Sequence, residues 1–323
     1  MVMENKLSVL RSVLWLLLLR FSLGAGGQEL SAVPLADPFI LLDGGTYYAY
    51  GTHDPNGIEV WTSDDLLTWT RADDLALSKE NTTEQHWFWA PEVYRRNGQY
   101  YMYYSANEHL FVATAPSPRG PFRQVGSYMM SSVLGDEKCI DSSIYYDEAT
   151  DRTYCFFVRF TDGNCIWMCE LADDLVTPKA GTLRHCFSVS QPWENLMGRV
   201  AEGPFIWKHD DAYYLTYSGN DYHSQDYAVG YAVSRSLAVR DGAAPEWQKL
   251  DSNPIVRRVE ELVGTGHHSF FTDKEGRLRI VFHAHHSATE VHPRRMYIGT
   301  MEFVGDRLRL TDEPVIRPTS SAR

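Results

Sequence analysis

The stretch that decides the fold runs Ala36-Asp-Pro-Phe-Ile-Leu-Leu-Asp-Gly-Gly-Thr-Tyr-Tyr-Ala-Tyr50, which is an apolar run, a glycine turn and an aromatic run. The chain repeats its proline and paired tyrosines in Trp89-Ala-Pro-Glu-Val-Tyr-Arg-Arg-Asn-Gly-Gln-Tyr-Tyr-Met-Tyr103. A third copy is Glu202-Gly-Pro-Phe-Ile-Trp-Lys-His-Asp-Asp-Ala-Tyr-Tyr-Leu-Thr216, and weaker copies begin at Asp141 and His267. Self-similarity at a period of this length indicates a repeat architecture.

Each copy predicts an apolar strand, a tight turn and an aromatic strand, followed by further strands before the next copy begins. Four strands of this kind form one blade, and radial stacking of blades buries both faces of every sheet. The sequence therefore predicts an all-β fold, a five-bladed β-propeller with four-stranded antiparallel blades around a central channel. A two-sheet sandwich is the alternative, but it would not repeat the same proline and tyrosine positions.

The composition excludes several classes of protein. Of the 323 residues, 44% are hydrophobic and 22% are charged, as in a globular chain rather than a disordered or collagen-like one. The aromatic share of 13% favours strands and sugar-stacking surfaces. A formal net charge of −12 argues against nucleic acid as a partner, because phosphate binding needs clustered cations. Neutral or cationic partners fit better.

The first 27 residues resemble a secretory signal peptide. Lys6 and Arg11 precede the uncharged run from Ser12 to Leu19, which is too short to span a bilayer, and small residues follow up to Gly27. We expect a secreted or periplasmic protein with no membrane partner after cleavage. The predicted domains are a signal peptide over 1–27, one propeller over 28–318 and a tail over 319–323. The sequence leaves the oligomeric state open.

Five cysteines lie in the middle of the chain, at positions 139, 155, 165, 169 and 186. An odd number cannot all pair within one chain. A zinc site built from Cys165, Cys169 and the His185-Cys186 pair is one interpretation, although structural zinc sites usually carry cysteine pairs on tight turns. Since the run from Cys165 to Cys169 reads as a strand, buried thiols that pack as small hydrophobic groups are the better prediction.

Three acids stand at the start of the first strand of three different blades: Asp37, Asp141 and Glu202. The first strand of a blade lies nearest the axis, so residues at its start crowd the mouth of the channel. Each acid alone is explained by a turn or a strand start. Together they predict carboxyl groups that repel one another in a shared pocket, with at least one biased towards its protonated form. Such a set can supply a general acid and a general base.

The order and spacing of five phrases resemble glycoside hydrolase family 43, five-bladed propellers that cleave arabinose- and xylose-containing glycans. The phrases are Ala-Asp37-Pro, Trp89-Ala-Pro-Glu, Ile-Asp141-Ser, Glu202-Gly-Pro and Gly-Thr-Gly-His267. The resemblance implies an inverting mechanism in which Asp37 is the general base, Glu202 the general acid and Asp141 the group that orients Glu202 and raises its pKa. Inverting enzymes hold acid and base about 6.5–9.5 Å apart to admit a water molecule.

The resemblance also implies that His267 helps to hold a hydrated calcium ion in the central channel, although no cofactor is required. One neutral imidazole binds such a hard ion weakly, so a buried hydrogen-bonded histidine is an equal alternative. In His283-Ala-His285-His286, alternation places the first two histidines on one strand face, which favours packing in the core or the channel wall.

Substrate-binding residues are expected at the rim of the channel. Family members place an arginine near the start of the last blade-five strands against sugar hydroxyls, and Arg294 fits this role by spacing, with Arg295 as the alternative. Trp89 is expected to stack on the apolar face of a pentose, with Trp87 and Phe88 extending that wall. For each of these side chains an ion pair or inter-blade packing is the competing interpretation.

The expected substrate is an arabinose- or xylose-containing oligosaccharide or polysaccharide. Removal of terminal α-L-arabinofuranose is our first hypothesis, and exo β-xylosidase and endo-arabinanase are the alternatives within the family. A sugar-binding propeller without catalysis is the alternative of another class. Retaining fructan hydrolases share the propeller, but they carry an Asn-Asp-Pro-Asn-Gly phrase that Asp54-Pro-Asn-Gly57 matches only in part, after the aromatic strand.

Overall fold

The computed structural model describes residues 31–238 and 244–320 and confirms the five-bladed propeller of four-stranded antiparallel blades. Blade one and its flanking pairs contain β1 (Ser31–Ala32), β2 (Ala36–Asp43), β3 (Thr46–Thr52), β4 (Gly57–Ile58), β5 (Trp61–Ser63), β6 (Thr68–Arg71) and β7 (Leu77–Ser78). Blade two contains β8 (Trp89–Arg96), β9 (Gln99–Ala106), β10 (His109–Ala115) and β11 (Arg123–Gln124). Blade three contains β12 (Cys139–Asp147), β13 (Arg152–Arg159), β14 (Cys165–Leu171) and β15 (Arg184–Phe187).

Blade four contains β16 (Ala201–His209), β17 (Ala212–Gly219), β18 (Ala228–Ser234) and β19 (Gln248–Lys249). Blade five contains β20 (Gly266–Thr272), β21 (Leu278–Ala284), β22 (Arg295–Val304) and β23 (Arg307–Leu310), and β24 (Thr319–Ser320) follows. Helical structure in the described part of the chain is limited to α1 (Ser131–Leu134) and two short 3-10 turns, Lys79–Asn81 and Pro192–Asn195. No described helix is long and apolar enough to cross a membrane.

The first strand of every blade lies at the axis: β2, β8, β12, β16 and β20 contact one another in a closed ring. In each of them the pairing with the second strand shifts at one point, a β-bulge. One residue per bulge has a left-handed backbone, with φ between 41° and 56°: Asp37, Ala90, Asp141, Gly203 and His267. Bulges re-aim side chains. In all five blades the bulge therefore re-aims the residue at the same repeat position, at the mouth of the channel.

The repeated tyrosines join neighbouring blades. Tyr100 of blade two donates a hydrogen bond to Asp43 of blade one at 2.8 Å, and Tyr213 of blade four donates to Asp147 of blade three at 3.2 Å. The Tyr47 hydroxyl of blade one instead accepts a hydrogen bond from the Lys274 N–H of blade five, at 2.9 Å. Each ring fills the space between sheets while its hydroxyl satisfies the turn that ends the adjacent inner strand. This double use explains why the repeat keeps a tyrosine at this place.

The ring closes at the outer edge of blade one. β24 runs parallel to β6 and antiparallel to β1, with Thr319 opposite Thr68 and Ser320 opposite Ser31. The Met296 N–H of blade five also donates to the Val33 carbonyl at 3.1 Å. Two residues of the segment predicted as a tail thus belong to this sheet. The predicted signal peptide lies outside the described residues.

The cysteines lie in and beside blade three. Cys139, Cys155, Cys165 and Cys169 are buried, Cys186 is half-buried, and all five are free thiols. Cys155 and Cys169 face each other across β13 and β14 within a cluster of apolar side chains. Among the described residues no three histidine, cysteine or acidic side chains form a group that could hold a metal. The predicted packing role of the buried thiols fits this arrangement, and the zinc interpretation finds no ligand set in it.

Candidate active site

An open cavity of about 520 Å³ lies on the propeller axis, at the end where the inner strands begin. Asp37, Asp141 and Glu202 all line it, together with Trp89 and Arg294. Its volume falls in the range of about 300–1,000 Å³ that is usual for small-molecule sites. The bulged starts of three blades thus bring together carboxyl groups that are more than sixty residues apart in sequence.

Asp37 is buried among cationic and imidazole groups. Its Oδ1 atom lies 2.8 Å from Arg294 Nη1 and 3.3 Å from the Nδ1 atoms of both His267 and His283. Burial alone would raise the pKa of Asp37, but Arg294 and the two histidines outweigh it and hold that pKa well below its usual value. Asp37 is therefore a carboxylate at any physiological pH, which suits a group that accepts a proton.

Glu202 has the opposite electrostatic character. Burial raises the pKa of Glu202 to about 7, and the negative charge of Asp37 adds to the rise. Tyr227 Oη donates to its Oε1 atom at 2.9 Å, and Asn164 Nδ2 donates to its Oε2 atom at 2.9 Å; both bonds lower the pKa and limit the rise. A carboxyl group that exchanges its proton near neutral pH suits a general acid.

Asp141 is the third carboxyl group that lines the cavity. Burial raises the pKa of Asp141 well above its usual value, and the nearby Glu202 and Asp37 carboxyls raise it further. Its Oδ2 atom accepts a hydrogen bond from the Gly203 N–H at 3.2 Å, and its own N–H donates to Ser105 Oγ at 3.0 Å. Asp141 therefore contacts the backbone that carries Glu202, and the main causes of the raised Glu202 pKa are burial and Asp37.

Gly203 occupies the bulge position that carries an acid in blades one and three. Its φ is +53°, and a Cβ atom there would lie 3.1 Å from the His267 ring. A glycine at this point leaves room for the imidazole and lets its N–H approach Asp141. The catalytic glutamate candidate consequently sits one position earlier, at 202, where the side chain points into the cavity instead of the channel.

His267 lies beneath the acids with a pKa that burial lowers, so its ring is neutral. The channel below it is lined by Glu92, Asp141 and His268 and has a volume of about 10 Å³, which holds about one water molecule. A hydrated calcium ion takes six to eight oxygen ligands, and these residues supply a space that fits a single water better than such an ion. Calcium binding beside His267 stays a prediction.

The structure distinguishes the two candidate arginines. Arg294 is largely buried in the cavity wall, pairs with Asp37 and lies over the Tyr222 ring at 4.5 Å. Arg295 starts β22 beside His286, outside the cavity lining. The contact of Arg294 with sugar hydroxyls stays a prediction, and the competing interpretation, an ion pair, is present in the structure with the base candidate Asp37 as partner.

Of the three aromatic residues predicted for the wall, Trp89 and Trp87 lie at the cavity. Trp89 lines the cavity, and Trp87 stacks on it with ring centroids 5.8 Å apart. Phe88 is buried against Tyr104 in the core between blades, so its predicted place in the wall is wrong. Packing between blades, the competing interpretation for these side chains, therefore holds for Phe88.

Sequence reasoning missed the two partners of Glu202, Tyr227 and Asn164. Each stands immediately before the third strand of its blade, β18 and β14 respectively, which is an equivalent place in the repeat. His283 was assigned to packing; it is fully buried, and its Nδ1 atom also accepts the Asp37 N–H at 3.1 Å. Burial lowers the pKa of His283 to about 3, so it is a neutral acceptor. The burial of His283 and His285 fits the predicted packing in the core or the channel wall, but the sequence did not predict this bond.

Comparison with known proteins agrees with this geometry. The model of the family described as "Glycosyl hydrolases family 43" matches residues 30–307. The chain is 26% identical over 272 residues to β-D-galactofuranosidase xynD of Aspergillus niger, covering 77% of this chain and 73% of that protein. It is 26% identical over 302 residues to the extracellular exo-α-(1→5)-L-arabinofuranosidase ArbA of Cellvibrio japonicus, covering 84% of each.

A solved structure from Bacteroides thetaiotaomicron, titled as an endo-1,4-β-xylanase, is more similar in sequence. It shares 39% identity with this chain at a TM-score of 0.82, over 90% of this chain and 99% of that one. The similarity extends over the whole propeller.

Proposed function

Because the chain belongs to glycosyl hydrolase family 43, we propose that this glycosidase works by inversion and removes terminal pentose, with α-L-arabinofuranose as the preferred sugar. The observation that carries the proposal is the pair of oppositely tuned carboxyl groups in one cavity. The pKa of Asp37 is held well below its usual value, while burial raises that of Glu202 to about 7. A charged base and a protonated acid thus coexist below neutral pH.

The reaction follows from this pair in a single displacement. Asp37 accepts a proton from a water molecule while the oxygen of that water bonds to the anomeric carbon. On the opposite face of the sugar, Glu202 gives its proton to the leaving oxygen as the glycosidic bond breaks. Asp37 ends protonated and Glu202 ionised, and exchange with solvent restores both. Asp141 holds the Gly203 backbone and so positions Glu202.

Exo-action on a pentose is supported by the relatives and by the cavity. ArbA is described as an exo-acting arabinofuranosidase, and the cavity here is a pocket on the axis with Trp89 available to stack on a sugar face. Exo β-xylosidase is the second candidate, which the 39% identity to a protein titled as a xylanase favours. Endo-arabinanase is a third and weaker hypothesis.

A sugar-binding propeller without catalysis would not need this arrangement of acids. Burying three carboxyl groups in one cavity costs folding free energy, and a catalytic role explains why the site retains them. We also propose that the protein is exported, on the strength of the signal-like residues 1–27 and of the extracellular description of ArbA.

A panel of nitrophenyl glycosides tests the proposal: α-L-arabinofuranoside, β-D-xylopyranoside and β-D-galactofuranoside. We expect the highest kcat/KM on the arabinofuranoside. A higher value on the xylopyranoside would move the assignment to β-xylosidase. Internal cleavage of debranched arabinan with no turnover of any aryl glycoside would contradict exo-action, and no hydrolysis of any of these substrates would contradict the proposed function.

A further inference from the structure

Trp87 is exposed and strained at once. Its side chain is 48% exposed, in the segment that precedes β8. Its backbone has φ of +63°, in the left-handed region that bulky residues rarely enter. Such a conformation persists where the surrounding structure imposes it, and it clusters at functional sites. An exposed indole in a strained backbone conformation suggests a functional role for this side chain.

The indole of Trp87 continues the wall of the cavity. Its ring is nearly parallel to that of Trp89, at 15°, with centroids 5.8 Å apart. Parallel rings at this centroid distance are offset, so the pair forms a stepped apolar strip. One end of the strip, Trp89, lines the catalytic cavity, and the other end reaches solvent.

The strip is fixed by a neighbouring loop. The His86 ring meets Trp87 edge to face at 4.7 Å, and His86 Nε2 lies 3.1 Å from Asn107 Oδ1. The Asn107 N–H also donates to the His86 carbonyl at 3.2 Å. Within the described chain the structure gives Asn107 Nδ2 no hydrogen bond, so this amide remains available to a ligand hydroxyl. An aromatic face beside an amide donor is the usual composition of a sugar site.

We propose that Trp87, with Trp89, forms a subsite for the sugar ring adjacent to the one that is removed. The inference rests on the proposed exo-glycosidase function: if the terminal sugar occupies the cavity, the remaining chain must leave it towards solvent, past the exposed end of the strip. The occupant is a pentose unit on the leaving-group side, whose C–H face stacks on the indole. Substrates that extend past the cavity therefore gain binding that a methyl glycoside, which has no ring on the leaving-group side, lacks.

The test compares a trisaccharide, arabinotriose or xylotriose according to the preference of the enzyme, with the methyl glycoside of the same sugar. In Trp87→Ala, kcat/KM for the trisaccharide relative to that for the methyl glycoside should fall about tenfold or more, as loss of one aromatic contact implies. Trp87→Phe should retain most of the ratio. Leu67→Ala, which truncates a side chain 53% exposed in the turn between β5 and β6, is the control and should leave the ratio unchanged.

Each outcome has a distinct meaning. An unchanged ratio in Trp87→Ala, with active wild-type enzyme, would overturn the subsite and leave the proposed function intact. If the wild-type enzyme hydrolyses neither substrate, the proposed function fails, and binding is read instead from tryptophan fluorescence during titration with the trisaccharide. Binding that Trp87→Ala weakens tenfold would support the subsite, and equal binding by both proteins would overturn it.

Discussion

The Arg294 guanidinium lies 2.8 Å from the Asp37 carboxylate, and this ion pair separates the two acids of the cavity into a charged and a neutral one. Without it, only His267 and His283 would oppose the effect of burial, which raises the pKa of Asp37. The contrast that the mechanism needs thus depends on Arg294, from the loop before β22, together with these two histidines.

Arg294→Met should shift the acid limb of the pH profile of kcat/KM to higher pH. The pKa of Asp37 is held down by Arg294, so loss of the cation raises it and protonates the base at a higher pH. Because the depressed pKa of Asp37 also stabilises the fold at neutral pH and this stability is lost as pH falls through that pKa, the variant should unfold at lower temperature, with a loss of about 3–5 kcal/mol. The control is Arg295→Met, which should change neither property, and an unshifted acid limb would contradict the role of the pair.

Tyr227→Phe should shift the alkaline limb to higher pH. The hydroxyl donates to Glu202 and favours its ionised form, so its removal raises the Glu202 pKa above about 7 and keeps the acid protonated longer. The pH dependence of kcat/KM checks this shift. Tyr214→Phe deletes a hydroxyl that donates to the Asp306 carbonyl, and it should leave the profile as it is. A shift to lower pH in Tyr227→Phe would reverse the assigned role.

Gly203→Ala should destabilise the protein and impair turnover. The new Cβ atom would lie 3.1 Å from the His267 ring at a φ of +53°, which costs about 1–3 kcal/mol of backbone strain before any clash. Gly98→Ala is the matched control, since Gly98 has a φ of +79° with open space around it. Thermal unfolding should show a larger loss at 203 than at 98. Equal losses would mean that close packing against His267 adds nothing.

The released sugar should have the opposite anomeric configuration from the substrate. A single displacement by water, with Asp37 and Glu202 on opposite faces, inverts the anomeric carbon. Proton NMR within the first minutes of hydrolysis distinguishes the two anomers before mutarotation mixes them. Retention of configuration would mean that one carboxylate attacks the sugar directly.

The repeat allowed the architecture and the three acids to be predicted, because the bulged starts of the inner strands are local in sequence and equivalent in space. Asp37 and Asp141 share one bulge position, and the offset of Glu202 was already visible in the alignment of copies. What the sequence could not reveal comes from the residues immediately before the third strands of blades three, four and five: Asn164, Tyr227 and Arg294. They are three different residue types, so no repeated phrase marks their place, and their pairing with Glu202 and Asp37 depends on how the loops fold over the channel. Phe88 packs between the blades, and its place in the sequence next to Trp89 does not distinguish that position from one in the wall.

The central claim is that Asp37 and Glu202 are base and acid for the same bond. The most direct measurement is kcat/KM of Asp37→Ala and Glu202→Ala on two substrates of the preferred sugar, one with a dinitrophenolate and one with an alkoxide leaving group. Asp37→Ala should lose activity on both, since no other group accepts the proton of the water. Glu202→Ala should lose about 10²–10⁴-fold on the alkoxide substrate and far less on the dinitrophenyl one. Equal losses on both substrates in Glu202→Ala would contradict the assignment.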